Sequence, residues 1–194
     1  MKGFIAGVLV ALLVIFGGLY LGMARGWYPV GADNEPTKFE RQMAHMAMEA
    51  YVEKHAPKQE NPIQLTNENL IEGAEEYEEH CAICHGGAKS RISPLAGKFN
   101  PPVPQLINRV PRDADANLFW ITKHGIRLTG MPGWGGLMDD DEMWKIVAFI
   151  KNSNKLPPEV QTAWQAMANK GEDAVAGEHK KEAPAGGTAK KKTL

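Results

Sequence analysis

Cys81-Ala82-Ile83-Cys84-His85 is the stretch that decides how this chain folds. It holds both of the chain's cysteines, three residues apart, with an imidazole directly after the second. Such a spacing fits one helical turn and its exit, so the three side chains can converge on one edge and one face of a flat ring. Two thiols placed in this way can form thioethers with vinyl groups while the imidazole ligates an iron. That is the pattern of covalent c-type haem attachment. Other uses of paired cysteines fit less well. A C-x-x-C redox pair calls for a βαβ context that the sequence lacks. A structural zinc site calls for a second pair of ligands, and no further Cys exists. One such motif predicts one covalent haem.

The sequence around the motif is helical. Thr66 precedes Asn67-Glu68-Asn69-Leu70, and a helix over about 67–82 is expected to lead into the cysteines, with Leu70, Ala74, Tyr77 and Cys81 on one face. Glu72, Glu75, Glu76, Glu78 and Glu79 crowd the remainder as a solvated, negative surface. After His85 comes a run rich in Pro and Gly, SPLAGKFNPPVPQLINRVPRD, that forbids long regular elements. Such loops acquire a core by wrapping a large apolar ring, which Leu95, Phe99, Val103, Leu106 and Ile107 can cover. Asp115 is expected to cap a helix over about 116–125 that Gly125 stops, and a last helix is expected over about 139–152. The latter carries Trp144, Val147, Ala148 and Phe149 or Ile150 toward the 67–82 helix.

Between these two helices, Ile126-Arg127-Leu128-Thr129-Gly130-Met131-Pro132-Gly133-Trp134 holds Met131 in a loop between Gly and Pro. A rigid loop can present its thioether to the iron face opposite His85. Met138 and Met143, at and on the last helix, are the competing thioethers, and His124 would instead give two imidazole ligands.

Upstream, Gly3 to Ala24 runs without a charge between Lys2 and Arg25, followed by Trp27 and Tyr28. About 20 such residues cross a bilayer core, and aromatic residues favour its edge. The run exceeds the usual apolar region of a cleaved signal peptide, although Gly22-Met23-Ala24 resembles a cleavage site. An uncleaved signal anchor is the favoured reading. Thr37, with Glu40 three residues later, is expected to cap a helix from Lys38 to about His55 with Met43, Ala47, Ala50 and Tyr51 on one side. His45, His55, Met46 and Met48 on this helix read as packing rather than as a copper site. The expected organisation is therefore a transmembrane signal anchor (1–25), a juxtamembrane helix and linker (26–65), a haem domain (66–155) and a short helix with a disordered tail (156–194). In the tail, Val160, Ala163, Trp164 and Met167 suit a helix over 159–169, and the remainder is mostly Ala, Gly, Lys and Glu. A net charge of -1 argues against nucleic-acid binding.

Taken in order, the helix into C-A-I-C-H-G, the N-P-P-V-P-Q-L loop, L-F-W-I-T-K-H-G-I-R-L-T-G-M-P-G-W and the final E-M-W-K-I-V-A-F-I helix resemble a class I cytochrome c domain of the membrane-anchored, single-haem bacterial kind over about residues 66–155. The resemblance implies an all-α fold of helices and loops around one haem c, thioethers at Cys81 and Cys84, and iron ligands His85 and Met131. It implies a Pro carbonyl that orients His85, from Pro102 or Pro104, and it makes Arg127 and Trp134 candidates for the haem propionates. It further implies that the haem domain faces the periplasm or cell exterior from the cytoplasmic membrane, with lipid met by the N-terminal helix. The function implied is one-electron transport in a respiratory chain, not enzymatic turnover, with redox proteins as partners and no small-molecule substrate. Lys89, Arg91, Lys98, Arg109, Arg112, Lys123 and Arg127 lie on the loops expected around the haem edge, so acidic docking surfaces are expected on those partners. A fixed cytochrome subunit of a larger respiratory complex is the nearest alternative. Gas-sensor and peroxidase readings need an open iron.

Overall fold

A computed structural model describes residues 1–179, with side chains through Ala168. Seven helices follow in order: α1 (Lys2–Ala24), α2 (Lys38–His55), α3 (Asn67–His80), α4 (Ala82–His85), α5 (Asp115–His124), α6 (Asp140–Asn152) and α7 (Pro158–His179). A single 3-10 turn, Ala96–Lys98, interrupts the long loop, and no strand occurs among the described residues. The chain is all-α, as expected.

The core is built where α3 crosses α6. Leu70, Ala74, Tyr77 and Cys81 line the inner face of α3 and are buried as their spacing predicts. At Gly73 the helices meet backbone to backbone: a Cβ there would stand 2.6 Å from the carbonyl carbon of Lys145 and closer still to its oxygen. Only glycine lets them approach so closely. α6 buries more than one stripe, because α3, α5 and α7 all pack on it or beside it. Met143, Trp144 and every residue from Ile146 to Ile150 are buried. Phe119 of α5 stacks flat on Trp144, with centroids 4.1 Å apart. Asp139 starts α6 with a full capping box, accepting from the Glu142 N–H while the Glu142 carboxylate accepts from its own N–H.

Three expectations at element ends are corrected. Asp115 does not cap α5; the cap is Ala114, without a side-chain bond, and Asp115 sits in the first turn, 3.7 Å from the Lys151 ammonium. α7 runs to His179 instead of ending near Asn169, continuing through Glu172-Asp173-Ala174-Val175-Ala176 between Gly171 and Gly177. Its start also belongs to the haem domain, since Val160 and Trp164 are buried. The domain's core thus extends past the expected boundary at 155. Trp164 meets Phe149 edge-on at 5.3 Å and donates its indole N–H to Glu78 at 2.5 Å, a fit that 66–155 alone lacks. The basic tail, Lys190 to Lys192, lies outside the described residues.

α1 is 23 residues long and exposed along nearly its whole length. α2 begins and ends where expected, with Thr37 accepting from the Glu40 N–H at 3.1 Å. Its packing differs from the expected side. Val52 is its one buried residue, whereas Met43, Ala47, Ala50 and Tyr51 are all exposed. The linker after α2 is irregular but held: Asn61 donates to the Trp144 carbonyl at 3.0 Å, and Ile63 packs on the core.

Candidate functional site

The last turn of α3 and the short α4 place the C-x-x-C-H side chains. The Cys81 carbonyl accepts from the N–H groups of Cys84 (3.1 Å) and His85 (2.9 Å), which winds the motif into the single turn its spacing predicts. Gly86 then leaves at a φ of +80°, where a Cβ would meet the Arg91 carbonyl carbon at 2.7 Å. The buried Tyr77 hydroxyl donates to the Gly86 carbonyl at 2.7 Å and fixes this exit. Burial raises the phenol pKa, with the nearby Cys81 and Glu78 adding to it, so the hydroxyl is held as a donor.

His85 Nδ1 lies 2.8 Å from the carbonyl oxygen of Pro104. A carbonyl only accepts, so Nδ1 carries the proton and Nε2 keeps its lone pair. Burial lowers the imidazole pKa and outweighs the opposing effect of the Pro104 bond, which keeps the ring neutral near pH 7. Neutral, oriented and with one free nitrogen, His85 has the properties of an iron ligand. Between the two proline carbonyls left open by the sequence, the contact is made by Pro104.

Cys81 is buried and Cys84 half-buried, and both thiols are free. Burial pushes the Cys81 thiol up to about 12, with Cys84, Glu76 and Glu78 adding to the shift. This is the reverse of what a nucleophilic redox cysteine needs.

The loop after α4 is held by side chains in place of regular backbone pairing. Gln105 donates to the Cys84 and Val103 carbonyls, both at 3.0 Å, and accepts from the Ser93 N–H at 2.6 Å. Ser93 in turn donates its hydroxyl to the Ile83 carbonyl at 2.5 Å. Neither residue stood out in the sequence as a site residue. The available signal was a polar amide amid prolines, where few backbone partners exist.

Met131 sits half-buried on a loop fastened to the end of α5. Its carbonyl accepts from Ile126 at 3.1 Å, its N–H donates to the Thr129 hydroxyl at 3.1 Å, and Trp134 and Gly135 donate to the Thr122 and Lys123 carbonyls. Gly125 (φ +69°) permits the close pass: a Cβ there would lie 2.6 Å from the Gly133 nitrogen. Leu128 turns the tip at a φ of +62°, a left-handed conformation that costs a non-glycine residue about 1 kcal/mol or more. His85 and Met131 are joined through the intervening loop. Its Pro104 end holds His85, while the Phe99 ring lies against Gly130, whose added Cβ would come within 2.5 Å of it.

The remaining candidates are separated from this arrangement. Met138 and Met143 are buried in the α3–α6 core, Met143 completely, so neither thioether is available. His124 is exposed at the end of α5, tilted against Trp120 at 4.6 Å. Trp134 is half-buried against His80, with centroids 5.0 Å apart, and Arg127 is exposed on the Met131 loop. Some of the seven basic residues are engaged inside the domain. Lys123 pairs with Asp140 at 2.6 Å, and Arg91 donates to the Ile107 carbonyl while covering the Trp164 ring. On α2, His45 pairs with Glu49 and His55 stacks on Tyr51. Among the described residues no three His, Cys, Asp or Glu gather as a metal site.

An all-helical fold closed around a C-x-x-C-H turn, with its His oriented by a proline carbonyl, defines a c-type cytochrome domain of class I. Residues 68–150 match the model of the family described as cytochrome C oxidase, cbb3-type, subunit III, and the chain carries a c-type cytochrome domain. Such a domain implies covalently bound haem c and haem-based electron transfer. The comparison with curated proteins found no match.

Proposed function

We propose that this protein is a one-electron carrier with a single haem c, ligated by His85 and Met131 and held by α1 on the outer face of the cytoplasmic membrane. The observation that carries the reading is the His85 Nδ1 bond to Pro104 at 2.8 Å. It commits the tautomer and leaves Nε2 for a metal. When bound, haem c supplies a ferric/ferrous couple that needs no substrate site.

The chain's own residues do the remainder. Cys81 and Cys84 fix the ring covalently, and Tyr77, Gln105 and Ser93 hold the turn and loop on either side of His85. The Met131 loop offers a thioether, which raises the potential relative to a second imidazole. Arg127, exposed on that loop, and Trp134 are the groups assigned to the propionates. Lys98, Arg109, Arg112 and Arg127 are exposed on loops around His85 and Met131. They favour a transient, salt-sensitive encounter with acidic partners.

The optical spectrum of the purified, haem-loaded protein tests this reading. A ferric state with the weak long-wavelength band of iron–thioether ligation, and a ferrous state indifferent to CO, is the expected result. High-spin haem or ready CO binding refutes it. The family description favours a second reading, a fixed subunit of a respiratory oxidase. Isolation from native membranes in mild detergent separates the two: a carrier leaves alone, and a subunit leaves with the same partners in constant ratio.

A further inference from the structure

The N-terminal half of α2 presents an apolar face that the domain does not use. Phe39, Met43 and Met46 fall within about 60° of one another at about 100° per residue, on the far side of the helix from Val52. Phe39 is 73% exposed, Met46 55% and Met43 36%, while Val52 is 4% exposed. Glu53 and Lys54 close this stripe, so it is confined to the half of the helix nearer α1.

Three contacts set where that half lies. Trp27 folds back on the last turn of α1, its N–H bonded to the Gly22 carbonyl at 3.0 Å and its ring against Gly22. Tyr28, just past the helix end at Ala24, donates its hydroxyl to Glu40 at 2.9 Å. Glu40 therefore does not close the expected capping box with Thr37, and the first turn of α2 is held beside the end of α1. Farther along, Asn100 of the haem domain donates to the Asn34 carbonyl at 2.6 Å. At its other end α2 is seated by Val52 and by Tyr51, which meets Trp120 edge-on at 5.7 Å. The segment from 25 to 56 is fastened at both ends and is not a loose leash.

We propose that Phe39, Met43 and Met46 seat in the interfacial layer of the bilayer, making α2 a second membrane contact that holds the haem domain against the membrane in one orientation. The inference rests on reading α1 as a membrane anchor. A lipid surface is the occupant that fits, because the stripe begins where the anchor ends and stops where charges resume. A helix with an apolar face and a polar remainder lies in that layer. Phe and Met suit it, one bulky and one flexible. The domain's partners are then those that reach the membrane surface.

The test uses the full chain, haem-loaded, in phosphatidylcholine vesicles, with spin labels on the single variants Met43→Cys, Met46→Cys, Leu13→Cys in α1 and Lys98→Cys on an exposed loop. Collision with oxygen, which concentrates in lipid, is compared with collision with a water-soluble nickel complex. Labels at 43 and 46 are expected to favour oxygen several-fold over the label at 98, and the label at 13 more strongly still. Lipid exposure at 13 with water exposure at 43 and 46 overturns this inference alone. Protection of 43 and 46 from both reagents also overturns it, because a protein then covers the face. Water exposure at 13 together with 43 and 46 overturns the anchor as well.

Discussion

Replacing Gly73 by Ala tests the α3–α6 crossing on which the haem turn is built. The added Cβ would stand 2.6 Å from the Lys145 carbonyl carbon and 3.2 Å from the Ile146 nitrogen. Carbon atoms rest about 3.5–4.0 Å apart, so the shortfall is about 1 Å. Both sides of the clash are helix backbone, which cannot swing aside as a side chain can. The helices must separate, loosening Tyr77, Val147 and Phe149 around them. Overpacking of this kind costs about 1–3 kcal/mol, and the unyielding partner puts Gly73 at the upper end. Against that, Ala gains about 1 kcal/mol over Gly in a helix. The expected net loss is about 2 kcal/mol, or about 10 °C in Tm for a domain of this size. Equilibrium denaturation of the haem-loaded full chain, followed by haem absorbance, measures it. Gly97→Ala, where nothing lies within 4 Å, is the control and is expected to stay within about 0.5 kcal/mol of the parent. A Gly73→Ala protein as stable as the parent would refute the argument that close backbone approach holds this crossing.

Tyr77→Phe removes the donor to the Gly86 carbonyl while keeping the ring; the expected loss is about 1–2 kcal/mol, read in the same denaturation assay. Met131→Ala is expected to abolish the iron–thioether band and admit CO, while Met138→Leu, altering a core thioether, leaves both unchanged in the optical spectrum. Glu76 has its pKa raised, mainly by burial and then by Glu142, with His80 opposing. A raised carboxylate destabilises the fold above its folded pKa and ceases to do so once protonated. Glu76→Gln is therefore expected to raise the midpoint at pH 7, and the gain should vanish as pH falls through the ordinary carboxylate range; a gain that grew in acid would contradict the sign.

The sequence was legible wherever a local pattern had one physical meaning. The C-x-x-C-H turn, the buried face Leu70–Ala74–Tyr77–Cys81 and the Thr37 cap of α2 each follow from spacing within a few residues. The choice between Pro102 and Pro104 was not legible, because it depends on how a loop of irregular backbone returns to His85. Gln105 and Ser93 escaped for the same reason: their partners are backbone carbonyls, which the sequence does not distinguish. Trp164 was seen as part of a helix but not as part of the domain, since its partner Glu78 reads in sequence as one more solvated acid. On α2, periodicity grouped Met43, Ala47, Ala50 and Tyr51 on one side, whereas the residue that packs is Val52. Helical spacing records a stripe, not the neighbour that covers it.

If Met131 ligates the iron as proposed, the stapling of its loop bears on speed as well as on ligation. An electron crosses between proteins only when the surroundings of donor and acceptor reach a common energy, and each bond that must stretch or bend along the way slows the passage. Met131 is bracketed by bonds from Ile126 and to Thr129, and the next turn is tied to Thr122 and Lys123. Glycines at 125 and 133 let the two limbs of the loop lie too close for any side chain between them. A thioether held on such a frame has little room to shift when the charge on a neighbouring metal changes by one. With Met131 as the proposed iron ligand, such a loop would keep the two oxidation states nearly the same shape.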